Sequence, residues 1–285
     1  MFETAVIIQE FIAWYRKFVR QHKFQLPPLT PEQHALIQHE WEKRTQFVPN
    51  DTFIFGIPFY NPDENFMIAG TEKFFGNQEM GLAKFLEYVS PSVMGCYALM
   101  GQAVYELAAR PEFRAHASKG QFSQRSEIIL RHYVSEKEYM VTQLSEPILF
   151  DERENLLFHI NTYRIGNEAS MQDKERFLSR VIHGPLEEHS LFTKALVAQA
   201  GMILWEKFGI KERKVAMAYI SSIRKDEKIT SAQIASMTGS NPRAITAANE
   251  KILKIGNTYC PFQTFATAYK FLHFAYKVGF FPEDM

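Results

Sequence analysis

Cysteine is scarce in this sequence, since Cys96 and Cys260 are the only two thiols among 285 residues. This scarcity excludes a disulfide-stabilised scaffold and a cysteine-rich zinc site, and it is typical of proteins that fold in a reducing compartment. Long apolar runs are missing too, because the longest one, Ala195 to Trp205, is shorter than the roughly 20 residues that span a bilayer. Glu3 and Glu10 interrupt the first apolar stretch, so we expect no signal peptide. The sequence therefore predicts a cytoplasmic protein without a membrane partner.

Net charge is also absent, because 32 Lys and Arg residues balance 32 Asp and Glu residues. The charges are nevertheless unevenly distributed. Residues 206–285 contain 12 Lys and Arg but only 7 Asp and Glu, and the rest of the chain carries the opposite imbalance. A basic end on an acidic body favours contact between that end and phosphate groups, although ordinary fluctuation also produces imbalances of this size.

Motifs for catalysis and metal binding are lacking. The sequence has no Gly-x-Ser-x-Gly motif, its glycines form no phosphate-binding pattern, and nothing pairs either cysteine with a histidine. The segment HGPLEEH offers His183, Glu188 and His189, but its Gly-Pro pair prevents the two histidines from sharing one regular helical face. We therefore expect no metal, no cofactor and no enzymatic activity, and we interpret 183–189 as a solvated turn between domains.

The patterning of the first 166 residues indicates helices followed by a strand-rich block. Apolar side chains at helical spacing predict an amphipathic helix over residues 2–20, and Thr30 followed by Pro31 predicts the start of another. From about Phe47, two short strands around a turn, a helical segment and three more strands are expected. The turn is expected at 61–63, the helical segment at 78–110, and the later strands at 126–134, 138–150 and 156–165.

This order of strands and helices, over residues 47–166, resembles the PAS-like sensor domains that precede helix-turn-helix regions in bacterial regulators. The resemblance implies a small antiparallel sheet with helices on one face. The family often has an aspartate-rich turn with Gly-Asn before its last strand. Asp151 and Asn155 match this turn, whereas Glu154 stands where glycine is usual.

A PAS-like fold also implies a pocket between the sheet and the helical segment, for a small molecule that the sequence does not identify. Apolar residues at such positions are usually part of an ordinary core. A flavin would need an Asn-Cys-Arg-Phe-like motif, which residues 94–97 do not match, and no histidine is specially placed for haem. The candidate pocket residues are Phe55, Ile57, Phe59, Phe75, Phe85, Tyr97, Tyr139 and Phe158.

The segment SAQIASMTGSNPRAITAANEKIL, residues 231–253, carries the start and stop signals of two short helices. Thr230 or Ser231 can cap the first helix, and Gly239 can adopt the positive φ that ends it. Asn241 is a good N-cap for the second helix, and Pro242 suits its first position. The residues expected to face inward are Ile234, Ala235 and either Met237 or Thr238 on the first helix, and Ile245, Ala248 and Ile252 on the second.

A small residue, a turn glycine and an inward aliphatic residue at these spacings are what a helix-turn-helix needs. With one helical run before it and another after it, the segment over residues 207–281 resembles the LuxR/GerE-type DNA-binding domain. The matching residues are Glu212, Val215, Ile234, Ala235, Ile245, Ile252, Leu253 and Gly279 to Phe281. The family usually has Ser where Asn241 stands and Thr where Ala244 stands, and it often has basic or polar side chains over 246–249.

The resemblance implies DNA binding, with the N-terminal half of the second helix in the major groove. The residues expected nearest the base edges are Arg243, Thr246 and either Asn249 or Glu250. The residues expected to contact phosphates are Lys251, Lys254, Arg224, Lys225 and Lys228. Each of these charges taken singly is more often solvated, so the cluster rather than any one member supports the prediction.

The last helical run, residues 262–281, carries apolar side chains on two faces. One face, expected to suffice for the core, holds Phe262, Phe265, Tyr269, Leu272 and Tyr276; the other holds Phe271, Phe274 and Val278. In the family this helix often pairs two subunits, and a two-fold dimer would match a two-part operator. The surplus can equally pack on this chain's own sensor domain.

The sequence thus predicts an α+β protein: N-terminal helices (1–46), a PAS-like antiparallel sheet domain (47–166), a helical linker (167–206) and an all-α, four-helix helix-turn-helix domain (207–285). The leading hypothesis is a homodimeric, DNA-binding transcriptional regulator that senses a small molecule or a protein. The alternative is a non-enzymatic sensor whose helix-turn-helix has lost DNA binding and recruits a protein, as Ala247, Ala248 and Glu250 suggest. An enzyme built on the PAS-like cavity has the least support.

Overall fold

The computed structural model of the chain contains two compact units. One unit comprises Met1–Met94 with Tyr105–Gly184, and the other comprises Gly95–Val104 with Pro185–Met285. The predicted mixed α and β class is confirmed, because the described part of the first unit contains an antiparallel sheet, whereas that of the second is helical. The structure describes residues 2–21, 29–59, 64–76, 78–111, 124–174, 191–260 and 264–281.

The first unit begins with two helices that the sequence predicts. Helix α1 spans Phe2–Gln21. Helix α2 spans Pro31–Thr45 and begins with a capping box. The Thr30 hydroxyl oxygen accepts from the Gln33 N–H at 3.2 Å, and the Gln33 side-chain oxygen accepts from the Thr30 N–H at 2.9 Å. The predicted start at Thr30 and Pro31 is therefore confirmed.

Five strands of the first unit form one antiparallel sheet in the order β2-β1-β5-β4-β3. The two strands before the helical segment and the three after it are confirmed. The turn expected at 61–63 lies outside the described residues. The strands are β1 (Thr52–Pro58), β2 (Met67–Ala69), β3 (Gln124–Arg131), β4 (Glu138–Phe150) and β5 (Leu156–Glu168).

The helical segment between β2 and β3 is more divided than predicted. It contains α3 (Glu72–Phe75), α4 (Leu82–Tyr88) and α5 (Met94–Ala108) instead of one run over 78–110. The break after α4 has a physical cause, since Val89 forms an isolated antiparallel bridge to Leu130. In addition, the Ser90 N–H donates to the carbonyl oxygen of Ile129 at 2.9 Å.

The sheet is covered on both faces, whereas the resemblance implies helices on one. Side chains alternate along a strand, so cross-strand partners share a face. Phe55, opposite Asn161, faces the phenylalanines of α3 and α4. On the other face, Ile37 of α2 belongs to one buried apolar cluster with Phe158. The remaining members of that cluster are Ile54, Leu149, Leu157 and Ile160, and Trp41 packs against it.

The turn between β4 and β5 is tied together by Asp151. One of its carboxylate oxygens accepts from the N–H groups of Arg153 at 2.8 Å and Asn155 at 2.7 Å, and the other accepts from the Asn155 amide at 2.8 Å. Glu154 has a φ of 61°, in the left-handed region that favours glycine. The sequence departure at Glu154 therefore coincides with a backbone conformation that glycine would adopt with less strain.

The second unit contains helix α6 (Leu191–Glu206), which lies within the predicted helical linker. A Cβ atom at Gly201 would overlap the carbonyl oxygen of Phe280, so the two backbones are in close contact. The Trp205 and Phe281 rings also lie 5.6 Å apart. The other helices of this unit are α7 (Ile210–Arg224), α8 (Ser231–Thr238), α9 (Pro242–Tyr259) and α10 (Ala268–Lys277).

The aromatic surplus of the last helical run is used within this unit. Phe271, expected to project away from the core, is fully buried and packs against Gly256, where an added Cβ would lie 2.5 Å from the ring. Tyr269 and Tyr276, expected in the core, are half-buried. The expected core positions Phe265 and Leu272 are buried, so the assignment of the two faces is wrong at Phe271 and overstated at the two tyrosines. Phe274 and Val278 of the expected outer face are half-buried, and Phe262 lies outside the described residues. Among the described helices, none is long and apolar enough to cross a bilayer.

Candidate nucleic-acid interface

The turn between α8 and α9 has the local chemistry that the sequence predicts. Thr230 caps α8, and Gly239 ends it with a φ of 62° and a ψ of 29°. The Ser240 N–H then donates to the carbonyl oxygen of Ala235 at 2.9 Å. Asn241 caps α9, because its side-chain oxygen accepts from the Ala244 N–H at 2.9 Å. The predicted caps and the left-handed glycine are confirmed.

Packing fixes which side of each helix faces inward. Ile234 and Ala235 of α8 are buried, whereas 61% of Met237 is exposed, so Thr238 rather than Met237 is the more inward residue at the end of α8. The predicted inward face of α9 is confirmed, since the buried residues include Ile245, Ala248 and Ile252. Contact of both helices with α7 holds the pair in a fixed orientation.

The outward side of α9 is mixed in charge. Thr246 donates its hydroxyl to the carbonyl oxygen of Pro242 at 3.2 Å, which leaves the hydroxyl oxygen at the surface. Lys225 and Lys228 lie exposed between α7 and α8. The exposed residues on α9 itself include Arg243, Thr246, Ala247, Glu250, Lys251 and Lys254. The predicted contact residues on this face therefore form a continuous surface that starts at the N-terminus of the helix.

Three of the predicted contact residues are engaged elsewhere. The Asn249 amide donates to the Tyr219 hydroxyl at 3.2 Å, so its side chain turns toward α7. Lys251 lies 3.3 Å from the carboxylate of Glu212, whose side chain is only 9% exposed. Arg224 is half-buried with its guanidinium 6.0 Å from the centre of the Tyr276 ring. The sequence could not predict these three contacts, because the partners lie far apart in the chain.

The predicted sensor residues only partly come together. The Phe55 ring centroid lies 5.9 Å from that of Phe75 and 5.7 Å from that of Phe85. Phe59 lies 4.7 Å from the Tyr105 ring, and Tyr139 lies 5.8 Å from the Phe74 ring. Phe55, Phe75 and Phe85 form an aromatic interior on one face of the sheet, and Phe74 links Tyr139 to it. Phe59 packs against His159, which lies on the same face.

Two predicted pocket residues are not part of that interior. Phe158 is opposite Pro58 in the register, so it faces the α2 side, away from Phe55. Tyr97 lies in the stretch 95–104, which belongs to the helical unit. Ile57 pairs with His159 in the register and is half-buried on the aromatic side. The sequence alone could not place Phe158, because the face of a strand depends on its register with its neighbours.

A row of polar side chains on β5 was missed by the sequence reasoning. His159, Asn161 and Tyr163 are buried on the same face, and the Asn161 amide donates to the Tyr163 hydroxyl at 3.1 Å. Nδ1 of His159 and Oδ1 of Asn161 are buried and have no hydrogen-bond partner among the described residues. Burial lowers the pKa of His159 to about 4 and keeps the imidazole neutral. The alternation of His159, Asn161 and Tyr163 along the strand is the sequence pattern that indicates that they share one face.

Among the described residues, no group of three His, Cys, Asp or Glu side chains is arranged to hold a metal ion. The segment 183–189, interpreted as an interdomain turn, lies outside the described residues. No protein-family model matches this chain, and no curated protein matches its sequence.

Proposed function

We propose that this protein is a DNA-binding transcriptional regulator with a PAS-like sensory domain. The observation that carries the proposal is the capped turn from Gly239 to Pro242, which fixes α9 by its buried side and presents its N-terminal half outward. A helix held in this way fits the major groove of B-DNA, which admits one α-helix.

The charges of the exposed face assign roles within this proposal. Arg243 and Thr246 lie on the first turns of α9, where they would meet base edges. Lys254 is exposed two to three turns further along and would meet a phosphate, as would Lys225 and Lys228. The carboxylate of Glu250 would repel a phosphate, but it can accept a hydrogen bond from the exocyclic amine of cytosine. Lys251 instead positions α9 through its pairing with Glu212.

The first unit supports the sensory half of the proposal. Its five antiparallel strands are interrupted by helices between the second and third strands, as the PAS resemblance implies. One face of the sheet carries an aromatic interior and the polar row of His159 and Asn161. Apolar surroundings with a few inward polar groups are typical of small-molecule sites. A homodimer on a two-part operator completes the proposal.

The test is retention of mixed genomic DNA fragments by the full-length protein at low and at moderate salt. We expect wild type to retain fragments at low salt and to lose them steeply as salt rises. The double variant Arg243→Ala/Lys254→Ala should bind at least about tenfold more weakly. Lys270→Ala, which removes an exposed lysine from α10, is the matched control and should bind as wild type does.

The alternative function is that of a sensor whose helix-turn-helix binds a protein instead of DNA. The specific observation in its favour is that Asn249 and Lys251 are turned to intramolecular partners, while Glu250 and Ala247 occupy the exposed face. Folded wild-type protein that retains no fragment at low salt, with or without added cell extract as a source of ligand, would favour this alternative.

A further inference from the structure

A second surface of the helical unit is a groove between α7 and the C-terminal end of α8, with a volume of about 750 Å³. Three apolar side chains line it although they are exposed: Ile210 by 78%, Met217 by 39% and Met237 by 61%. Apolar side chains that gather in a groove, rather than lying singly on a surface, are typical of interaction sites. Methionine is adaptable and common at surfaces that bind partner helices.

The groove has a definite sign of charge. Arg213 and Lys214 line it, and its lining residues, all of them within the described part of the chain, include no carboxylate. The Arg213 guanidinium donates to the Phe208 carbonyl oxygen at 2.9 Å, which holds the cation at the groove. The acidic residue of α7, Glu212, points away, because it is buried and pairs with Lys251. A partner for this surface must therefore combine apolar and acidic side chains.

The geometry points to the shape of that partner. The groove follows one side of α7 from Ile210 through Met217 to Ser221, a rise of about 16 Å, or about three helical turns. A helix of three turns offers apolar anchors at spacings of three, four and seven residues. We propose that this groove binds an acidic, amphipathic α-helix of a partner protein. Its anchors contact Ile210, Met217 and Met237, and its carboxylates pair with Arg213 and Lys214.

This docking surface is separate from the residues proposed to contact DNA. The groove is lined by α7 and α8, whereas Arg243, Thr246 and Lys254 lie on α9. The phosphates of a nucleic acid would pair with Arg213 and Lys214 but would leave the apolar side chains of the groove exposed. A nucleic acid would therefore explain the charged part of the lining and not the apolar part. The inference therefore goes beyond the proposed function and stands whether or not the protein binds DNA.

The test uses a fluorescein-labelled synthetic peptide of about 16 residues, with Leu at positions i, i+3, i+4 and i+7 of a helix and Glu at most others. Its anisotropy is followed as full-length protein is added. A second peptide of the same composition, scrambled so that the Leu residues share no face, reports non-specific attraction. We expect saturable binding of the amphipathic peptide and at least about tenfold weaker binding of the scrambled one.

Variants of the groove make the test specific. Met217→Glu and Lys214→Glu should each weaken peptide binding at least about tenfold. Met217→Glu puts a negative charge in the groove that repels the peptide's carboxylates, and Lys214→Glu replaces the cation that pairs with them. Gln233→Glu places the same charge on an exposed position of α8 outside the groove lining and is the matched control. Thermal unfolding of Lys214→Glu and Gln233→Glu should stay close to that of wild type, because both side chains are exposed and glutamate keeps the oxygen that accepts from the Thr230 N–H. The same measurement on Met217→Glu checks that this variant is folded.

The outcomes that overturn the proposal are concrete. They are equal affinity for the two peptides, no saturable binding, or binding that Met217→Glu leaves unchanged. If Lys214→Glu weakens retention of DNA fragments while Met217→Glu alters neither DNA nor peptide binding, the groove is a phosphate contact and the proposal is wrong. Failure of wild type to retain DNA does not affect these readouts, so the two proposals fail separately.

Discussion

At the scale of single residues, the buried polar row on β5 is the feature that an ordinary core would lack. An unpartnered polar atom in the interior costs about 1–3 kcal/mol, and within the described part of the chain Nδ1 of His159 and Oδ1 of Asn161 are two such atoms. The pairing of β5 with β1 places Asn161 opposite Phe55, so Asn161 faces the same side of the sheet as that buried ring. The cost of burying these groups is consistent with a role in ligand recognition within the proposed sensor.

The neutral state of His159 predicts a pH dependence of stability. Its pKa is lowered to about 4 by burial, whereas an unfolded histidine titrates near 6.5, so the unfolded chain binds more protons between these values. The free energy of unfolding should therefore hold above about pH 6.5 and fall by about 3 kcal/mol as the pH drops to 4. Urea unfolding at pH 7 and pH 4 measures this change.

The control for this experiment is His159→Phe, which removes the titrating group but keeps a ring. The difference between the unfolding free energies at the two pH values should be about 3 kcal/mol smaller in the variant. An identical pH dependence in the two proteins would contradict the assignment of the change to His159.

Glu154 gives a second prediction at this scale. An L-residue in the left-handed region costs about 1–2 kcal/mol, and glycine avoids this cost while losing about 0.5–1 kcal/mol of conformational entropy. Glu154→Gly should therefore raise the free energy of unfolding by about 0.5–1 kcal/mol, as measured by urea titration. Glu152→Gly, in the same turn without a positive φ, should lower it; a loss of stability in Glu154→Gly would refute the account of this turn.

At the scale of elements, local signals in the sequence predict where helices start and stop. Thr30, Thr230 and Asn241 cap their helices as expected, because a cap depends only on residues within one turn of it. Gly239 likewise adopts the expected positive φ. What the sequence could not supply were the pairings that depend on distant segments, such as Glu212 with Lys251.

The same distinction explains the errors within the sheet and the last helix. The grouping of His159 with Asn161 was missed although alternation along β5 puts both on one face, whereas placing Phe158 required the register with β1. Phe271 of α10 was assigned to the outer face because two apolar faces compete on one helix, and only packing against Gly256 decides between them. Helical periodicity finds the faces but does not identify the partner that each one buries.

The start of α9 can be tested by substituting its cap. Asn241→Ala removes the acceptor for the Ala244 N–H and should lower the free energy of unfolding by about 1 kcal/mol. Asn241→Ser keeps an acceptor oxygen and should stay within a few tenths of a kcal/mol of wild type. Urea unfolding of the three proteins measures both effects. Equal losses in the two variants would show that the cap does not stabilise the helix.

At the scale of the whole molecule, the two units carry different parts of the proposed function. The sheet-containing unit holds the aromatic interior and the polar row, and the helical unit holds both the exposed face of α9 and the groove beside α7. The last part of the predicted helical linker forms α6, which belongs to the helical unit and contacts Phe280 through Gly201. The sequence lacked a signal for this contact because a glycine in a helix predicts no particular partner.

The measurement that tests the central claim most directly is the salt dependence of binding to a fragment selected by the wild-type protein. We predict that log K falls linearly with log salt, and that Lys254→Ala reduces the slope by about 1 because it removes one phosphate contact. The Arg243→Ala variant should keep most of the slope, but its affinities for the selected fragment and for a base-substituted fragment should differ less than those of wild type. If the wild-type protein shows no salt-dependent binding, or if both variants bind as wild type does, α9 is not a DNA-reading helix.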